Sequence, residues 1–184
     1  MSFEDAGGKN VNPNFNSGYL GYKLNCTFCI TVFEARLRGY NLEAKPVDKN
    51  PNGRQKMLMR YPYFAFISSD NNKIAGPKEF YPKNKKACIS FLKKEVKPNE
   101  RYIFYFYPFD SNYPFAHVTE VFKINNKLYF YDPQSGEISN DIILENTKDN
   151  INKKSLKHYI FRVDNLEINP SVLKEISQPP ASGI

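Results

Sequence analysis

The spacing of apolar residues changes along this chain, and each change marks an element. From Cys26 to Arg38 the apolar side chains fall at Cys29, Ile30, Phe33 and Leu37, the spacing of one helical face. Asn25 stands where a helix N-cap belongs and Gly39 where a C-terminal glycine belongs. Leu42 to Val47 looks extended, Asp48 to Gly53 is turn material, and Tyr63 to Ser68 reads as a strand. Lys83 to Val96 returns to helical spacing, with Cys88, Phe91 and Leu92 inward and lysines outward. Arg101 to Tyr107 is a strand of β-branched and aromatic residues. A hairpin follows, in which His117 to Ile124 and Lys127 to Asp132 flank the two-residue connector Asn125-Asn126. Lys157 to Val163 predicts another strand and Ser171 to Ile176 a short last helix.

A helix first and strands afterwards predicts an α+β fold, with the leading helix packed on an antiparallel sheet. Residues 1–24, rich in Gly and Asn, read as an irregular arm, 25–177 as one domain that carries the chemistry, and 178–184 as a loose tail. The 184 residues suffice for one domain with a genuine core, and there is no internal repeat. No apolar run approaches the roughly 20 residues that span a bilayer. The N-terminus lacks the basic and then apolar regions of a signal peptide, so the expectation is delivery without a standard signal carried here.

Charge changes the picture less than its size suggests. The net charge is +7 and the pI about 9.2, which invites a nucleic-acid reading. The lysines, however, are spread over Lys83 to Lys97 and Lys148 to Lys157 among Asn and Glu, with no dense stripe interleaved with aromatics. A solvated basic surface is the plain reading, and an acidic partner such as an immunity protein the sharper one. Cysteine use points the same way as size. Three cysteines, Cys26, Cys29 and Cys88, do not make a disulfide framework.

The hairpin brings candidate chemistry together. If Asn125 and Asn126 form the loop, Ile124 pairs with Lys127, and the same register puts Thr119 opposite Asp132 and His117 opposite Gln134. Asp132 is then the diagonal neighbour of His117, roughly 7–8 Å away between backbones, within reach of a His–Asp hydrogen bond. The same face continues through Val121, Leu128 and Phe130 into the core. A histidine held by an acceptor can serve as general base, because the acceptor decides which ring nitrogen carries the proton. Cys26, in the first turn of a helix, supplies a nucleophile where free N–H groups and the dipole favour a thiolate. Those N–H groups also suit a tetrahedral oxyanion.

Each piece has a plainer reading. Cysteines at helix starts, a histidine in a strand and an Asp-Pro turn are commonly structural. Cys29 and Cys88 read as core, and His158, in a basic segment without an obvious partner, as a surface residue. Gln134 suits either a turn or substrate binding. Cys26-x-x-Cys29 lacks the second pair of ligands a structural zinc needs, and it follows a polar arm rather than the strand of a thioredoxin-like unit.

Asn10-Val-Asn-Pro-Asn-Phe15, Asn25-Cys-Thr-Phe-Cys29 and Glu34-Ala-Arg-Leu-Arg-Gly-Tyr40 together resemble the opening of the papain-fold toxin domains. Those domains occur in polymorphic bacterial toxins and in some phage head-morphogenesis proteins. His117-Val118 and Tyr129-Phe-Tyr-Asp-Pro-Gln-Ser-Gly136 are similar to the family's His and Asp-Pro-Gln-x-Gly motifs. The resemblance covers residues 9–47 and 101–137. It implies a Cys–His–Asp enzyme of papain-like fold that modifies a protein in a target cell, as a glutamine deamidase or a peptidase. By motif position Cys26 is the nucleophile, His117 the base and Asp132 its orienter. Papain-like enzymes place a Gln a few residues before the nucleophile, and residues 18–24 hold none, so Asn25 or backbone N–H groups take the oxyanion role.

The resulting expectation is a toxin or effector enzyme acting in a target-cell cytoplasm. Cys26 attacks a carboxamide of a protein substrate, with Gln134 and Asn25 as substrate contacts. No cofactor or metal is needed. The alternatives are a peptidase of the same fold, a non-catalytic module of a phage head or secretion system, and, weakest, a nucleic-acid binder.

Overall fold

A computed structural model of the protein describes residues 11–107, 116–139 and 156–180. The start of the expected arm (1–10), the lysine-bearing stretch 148–155 and the end of the expected tail (181–184) lie outside the described residues. In chain order the elements are α1 (Cys26–Leu37), β1 (Glu43–Ala44), α2 (Gly53–Arg60), β2 (Phe66–Ile67), β3 (Lys78–Phe80), α3 (Lys85–Glu95) and β4 (Arg101–Phe106). They continue with β5 (His117–Ile124), β6 (Lys127–Asp132), β7 (Glu137–Ser139), β8 (His158–Arg162), β9 (Glu167–Ile168), α4 (Pro170–Ile176) and β10 (Ser177–Gln178). Short 3-10 turns occupy Leu20–Tyr22 and Pro62–Ala65. This is a mixed fold in which the paired strands β1–β10, β2–β9, β3–β8, β4–β5, β4–β8 and β5–β6 run antiparallel.

The described residues divide into two compact units. The first holds 11–75, 132–137 and 166–180, and the second holds 76–107, 116–131, 138–139 and 156–165.

In the first unit α1 is central. Its residues from Thr27 to Ala35 are all buried, where the apolar spacing predicts one buried face. Thr27, Thr31 and Ala35 explain the difference. They read as neutral in a hydrophobic pattern, yet they are small enough for neighbours to close over them. Within this unit α1 packs against α2, β1, β9, α4 and the Pro62–Ala65 turn. Full burial of Phe28, Ile30 and Phe33 contributes about 1.5–3 kcal/mol each. The helix ends as its glycine predicts. Gly39 has φ 95°, its N–H donates to Arg36 O, and the Tyr40 N–H reaches back to Ala35 O. Beside that end, buried Glu34 pairs with Arg38 at 2.5 Å, and Arg38 also donates to Leu166 O at 2.6 Å.

Helix α2 falls where the sequence shows only turn residues and a weak pattern. Asn52 nucleates it by accepting from the Gln55 N–H at 2.9 Å. Gln55 Nε2 then ties it to Glu175 O at 3.2 Å. The strand expected over Tyr63 to Ser68 shrinks to β2, because Pro62 starts a 3-10 turn that takes up its first half.

The second unit carries most of a six-stranded sheet of order β3-β8-β4-β5-β6-β7. The hairpin has the expected bounds and register, with Ile124 opposite Lys127 and Glu120 opposite Tyr131. Asn125 and Asn126, at φ 48° and 65°, turn it in the left-handed conformation that asparagine tolerates. Val121, Leu128 and Phe130 lie in the core on the face that strand alternation predicts, with Phe104, Phe106 and Ile160 from neighbouring strands. Helix α3, capped by Asn84, adds Cys88 and Leu92 to that core.

His158 corrects the sequence reading. It is fully buried, not on the surface. Its Nδ1 meets Leu156 O at 2.8 Å, its Nε2 accepts from the Tyr107 N–H at 3.3 Å, and the rings of Phe80 and Phe104 flank it. The basic segment hid this because its lysine belongs to another face than the histidine: Lys157 is half-exposed and pairs with Glu79.

Candidate functional site

Cys26 is the first residue of α1 and is partly exposed. Cys29, three residues on and therefore on the same side of the helix, is completely buried. Burial pushes the Cys29 thiol well above the ordinary range, and the nearby Cys26 and Asp132 push it further the same way. A thiol so placed stays protonated through the neutral range and is a core group, as expected. Of the two cysteines, Cys26 is the one that solvent and a substrate can reach.

The turn that begins at Asp132 meets the start of α1 through Gln134, whose Nε2 donates to Asn25 Oδ1 at 3.1 Å. The turn is tightly closed. The Gln134 N–H donates to Asp132 Oδ1 at 2.9 Å and the Gly136 N–H to Asp132 O at 2.7 Å. This is the turn that Asp-Pro-Gln-Ser-Gly encodes: Asp accepts from the backbone two residues on, and Gly136, at φ 79°, supplies the left-handed residue.

Asn25 corrects the sequence reading twice. It is no side-chain N-cap: its φ and ψ are −94° and 24°, and its side chain makes no capping bond to α1. Nor is its carboxamide open to a substrate. Nδ2 donates to Asn12 Oδ1 at 3.1 Å and to Lys45 O at 2.9 Å, while Oδ1 accepts from Asn12 Nδ2 at 3.3 Å and Gln134 Nε2 at 3.1 Å. Both protons and both lone pairs are in use. Gln134 is likewise buried, its Nε2 donating to Asn25 Oδ1 and, at 3.5 Å, to Tyr22 O. The two residues expected to contact substrate are thus turned inward, because their amides satisfy each other.

Asn12 is the residue that sequence reasoning missed. An Asn in a polar arm reads as loop, yet it is 4% exposed and donates to Tyr22 O, Asn25 Oδ1 and Gln134 O at 3.0–3.3 Å. The one signal was its place in the Asn10 to Phe15 motif. The segment carrying Tyr22 O is itself anchored: a Cβ on Gly21 would lie 2.4 Å from Val47 O, so only glycine allows this approach.

His117 belongs to the second unit, where it opens β5 opposite Phe106. Its half-buried ring packs edge-on against the Phe106 ring, centroids 5.8 Å apart, on the side of the strand that faces the aromatic core. Among the described residues no group of three or more His, Cys, Asp or Glu is gathered as metal ligands would be. Among them, too, no helix is long and apolar enough to cross a membrane.

No protein-family profile matches the sequence, and the search of curated proteins found no match. Among solved structures the chain is similar to the crystal structure of a Pseudomonas avirulence protein, AvrPphB. The identity is 14% and the TM-score 0.38, over 91% of this chain and 100% of that one.

Proposed function

We propose that the protein is a papain-like cysteine hydrolase of the toxin or effector class that deamidates a glutamine of a protein substrate in a target cell. The observation that carries this reading is a reachable cysteine at the first position of a helix, with the Asp132 turn tied through Gln134 to Asn25, the residue before it, and the second cysteine withdrawn into the core. In this reading His117 takes the Cys26 thiol proton, the thiolate Sγ attacks the carboxamide carbon, and backbone N–H groups of the first turn of α1 receive the oxyanion. The tetrahedral adduct collapses to a thioester as ammonia leaves with a proton from His117. His117 then takes a proton from water, which attacks the thioester to give a carboxylate and the free thiol. Asp132 orients the imidazole. The hairpin register supports that role, because strand alternation gives Asp132 the face of Phe130 and His117 the face of Val121, and these two are cross-strand partners. The preference for deamidation over peptide cleavage comes from the sequence resemblance, and the net charge of +7 suits an acidic immunity partner.

Expression toxicity tests this, with wild type set against Cys26→Ala, Cys29→Ala and His117→Ala and intact-mass analysis of host proteins. Toxicity confined to wild type and Cys29→Ala, with a host protein gaining about 1 Da per converted glutamine, is the expected result. Host-protein fragments would make the chain a peptidase. Four chains that behave alike, with no modified protein, would leave a non-catalytic module as the better reading.

A further inference from the structure

The Asn10 to Phe15 motif has no part in the chemistry proposed above, yet its Asn12 lies at the centre of a buried carboxamide cluster. Three amides close on one another. Asn12 and Asn25 exchange donor and acceptor, at 3.3 Å and 3.1 Å. Gln134 Nε2 donates to Asn25 Oδ1 at 3.1 Å, and Asn12 Nδ2 reaches Gln134 O at 3.3 Å. Outward bonds tie the cluster to Tyr22 O and Lys45 O. Each member comes from a different part of the first unit: the arm, the residue before Cys26, and the turn after Asp132. All three are buried.

We propose that Asn12, Asn25 and Gln134 form a clamp that fixes the Asp132 turn against the start of α1, with Asn12 as its central positioning residue. The proposal deepens the Cys–His–Asp reading and rests on it for its link to catalysis. The geometry favours a clamp over a binding subsite because Asn25 has no hydrogen-bonding position left to offer. It also explains why the residues are amides. Asn12 must donate to two backbone carbonyls and still accept from Asn25, which a carboxylate at that position cannot do. The clamp acts on Asp132 through one peptide: Gln134, held by its side chain and its carbonyl, places its own N–H on Asp132 Oδ1. Hydrogen bonds have narrow distance and angle ranges, so three of them onto one turn define the carboxylate position far more narrowly than apolar packing would.

The test uses the full chain and two readouts that need no substrate. The first is the rate at which iodoacetamide alkylates Cys26 at neutral pH, mapped by mass spectrometry. The second is amide hydrogen exchange at Gln134 and Gly136. Asn12→Ala should slow alkylation toward the Asp132→Ala rate and speed both exchanges about tenfold or more, since opening of the turn no longer breaks the clamp. The double variant should alkylate no more slowly than Asp132→Ala alone, because the clamp acts through Asp132. Asn169→Ala, which removes an unrelated helix cap, serves as the control for plain loss of stability and should move neither readout. If Asn12→Ala lowers the melting temperature but leaves both readouts at wild-type values, the clamp is overturned and Asn12 is merely structural. If exchange quickens while wild type and Asp132→Ala alkylate alike, the clamp stands and the Cys–His–Asp reading falls.

Discussion

The amide cluster before α1 and the sheet core of the second unit are both buried, but they are held by opposite means. Asn12, Asn25 and Gln134 are joined by directed hydrogen bonds between amides. Around Phe104 the contacts are rings: Phe106 at 4.6 Å, Phe80 and Phe130 at 6.2 Å, His158 at 6.4 Å. Ring packing has a broad minimum, and its free energy grows with buried area. Amide clusters contribute little net energy per bond but are costly to break in part, since each stranded group keeps its desolvation penalty. The contrast suggests a division of labour, in which the aromatic core supplies stability and the amide cluster supplies position.

Truncating the aromatic core gives the largest test of that division. Phe104→Ala removes a fully buried ring and should cost about 3–5 kcal/mol in urea or thermal unfolding. The folded fraction should nevertheless alkylate at Cys26 at the wild-type rate. A slowed rate would mean that position near Cys26 depends on the core as well, and the contrast would fail.

The converse change is smaller in stability and larger in chemistry. Asn25→Leu keeps the branching of the side chain but removes the partners of Lys45 O, the Asn12 amide and Gln134 Nε2. The expected cost is about 2–3 kcal/mol, with alkylation of Cys26 slowed. Full stability and full reactivity together would show that the amides are incidental.

The same contrast decides what was legible in the sequence. Elements whose period is set by burial on one face could be read: the hairpin with its Asn125-Asn126 turn, helix α3 with Cys88 inward, and the glycine end of α1. Cys26 and Cys29 were told apart because Asn25-Cys26 opens the helix and Cys29 falls on its apolar stripe. What could not be read was the polar interior. An asparagine buried among amides has the same letter as one in a loop, so Asn12 read as arm and Asn25 as a cap. His158 was misjudged for a related reason: only the fold reveals that its two ring nitrogens meet Leu156 O and the Tyr107 N–H. Helix α2 was missed because its start depends on a single asparagine cap and its position on a side-chain bond to Glu175 O.

His158 is a buried polar residue set among the rings of the second unit, and it sharpens the comparison through pH. Burial lowers its affinity for a proton, so the folded chain holds it neutral with Nε2 as acceptor. The unfolded chain binds a proton near the ordinary imidazole value of about 6.5. Stability is therefore complete above that value and falls as pH drops below it, by at most about 1.4 kcal/mol per pH unit, until the lowered folded value is reached. Asp164, which Arg162 pairs with, titrates at lower pH, so its contribution falls in a separate window. His158→Gln keeps an acceptor for the Tyr107 N–H and should flatten the slope between pH 6.5 and 5 relative to wild type. An unchanged slope would assign that window to other groups.

The smallest effect tests whether every polar group at the start of α1 belongs to the amide cluster. Thr27 follows Cys26, is 3% exposed, and its hydroxyl has no hydrogen-bond partner. Its backbone carbonyl does accept, from Thr31 Oγ1 at 2.9 Å, and a side-chain change leaves that bond intact. Thr27→Val replaces an unsatisfied hydroxyl by a methyl of nearly the same size. Removing its desolvation penalty should raise stability by about 0.5–1 kcal/mol in urea titration, with Cys26 alkylation unchanged. A variant that is less stable would place water on the Thr27 hydroxyl, and the first turn of α1 would be wetter than the closed amide cluster beside it. A variant of higher stability but slower alkylation would instead make that hydroxyl a further positioning group, and position near Cys26 would no longer rest on the amides alone.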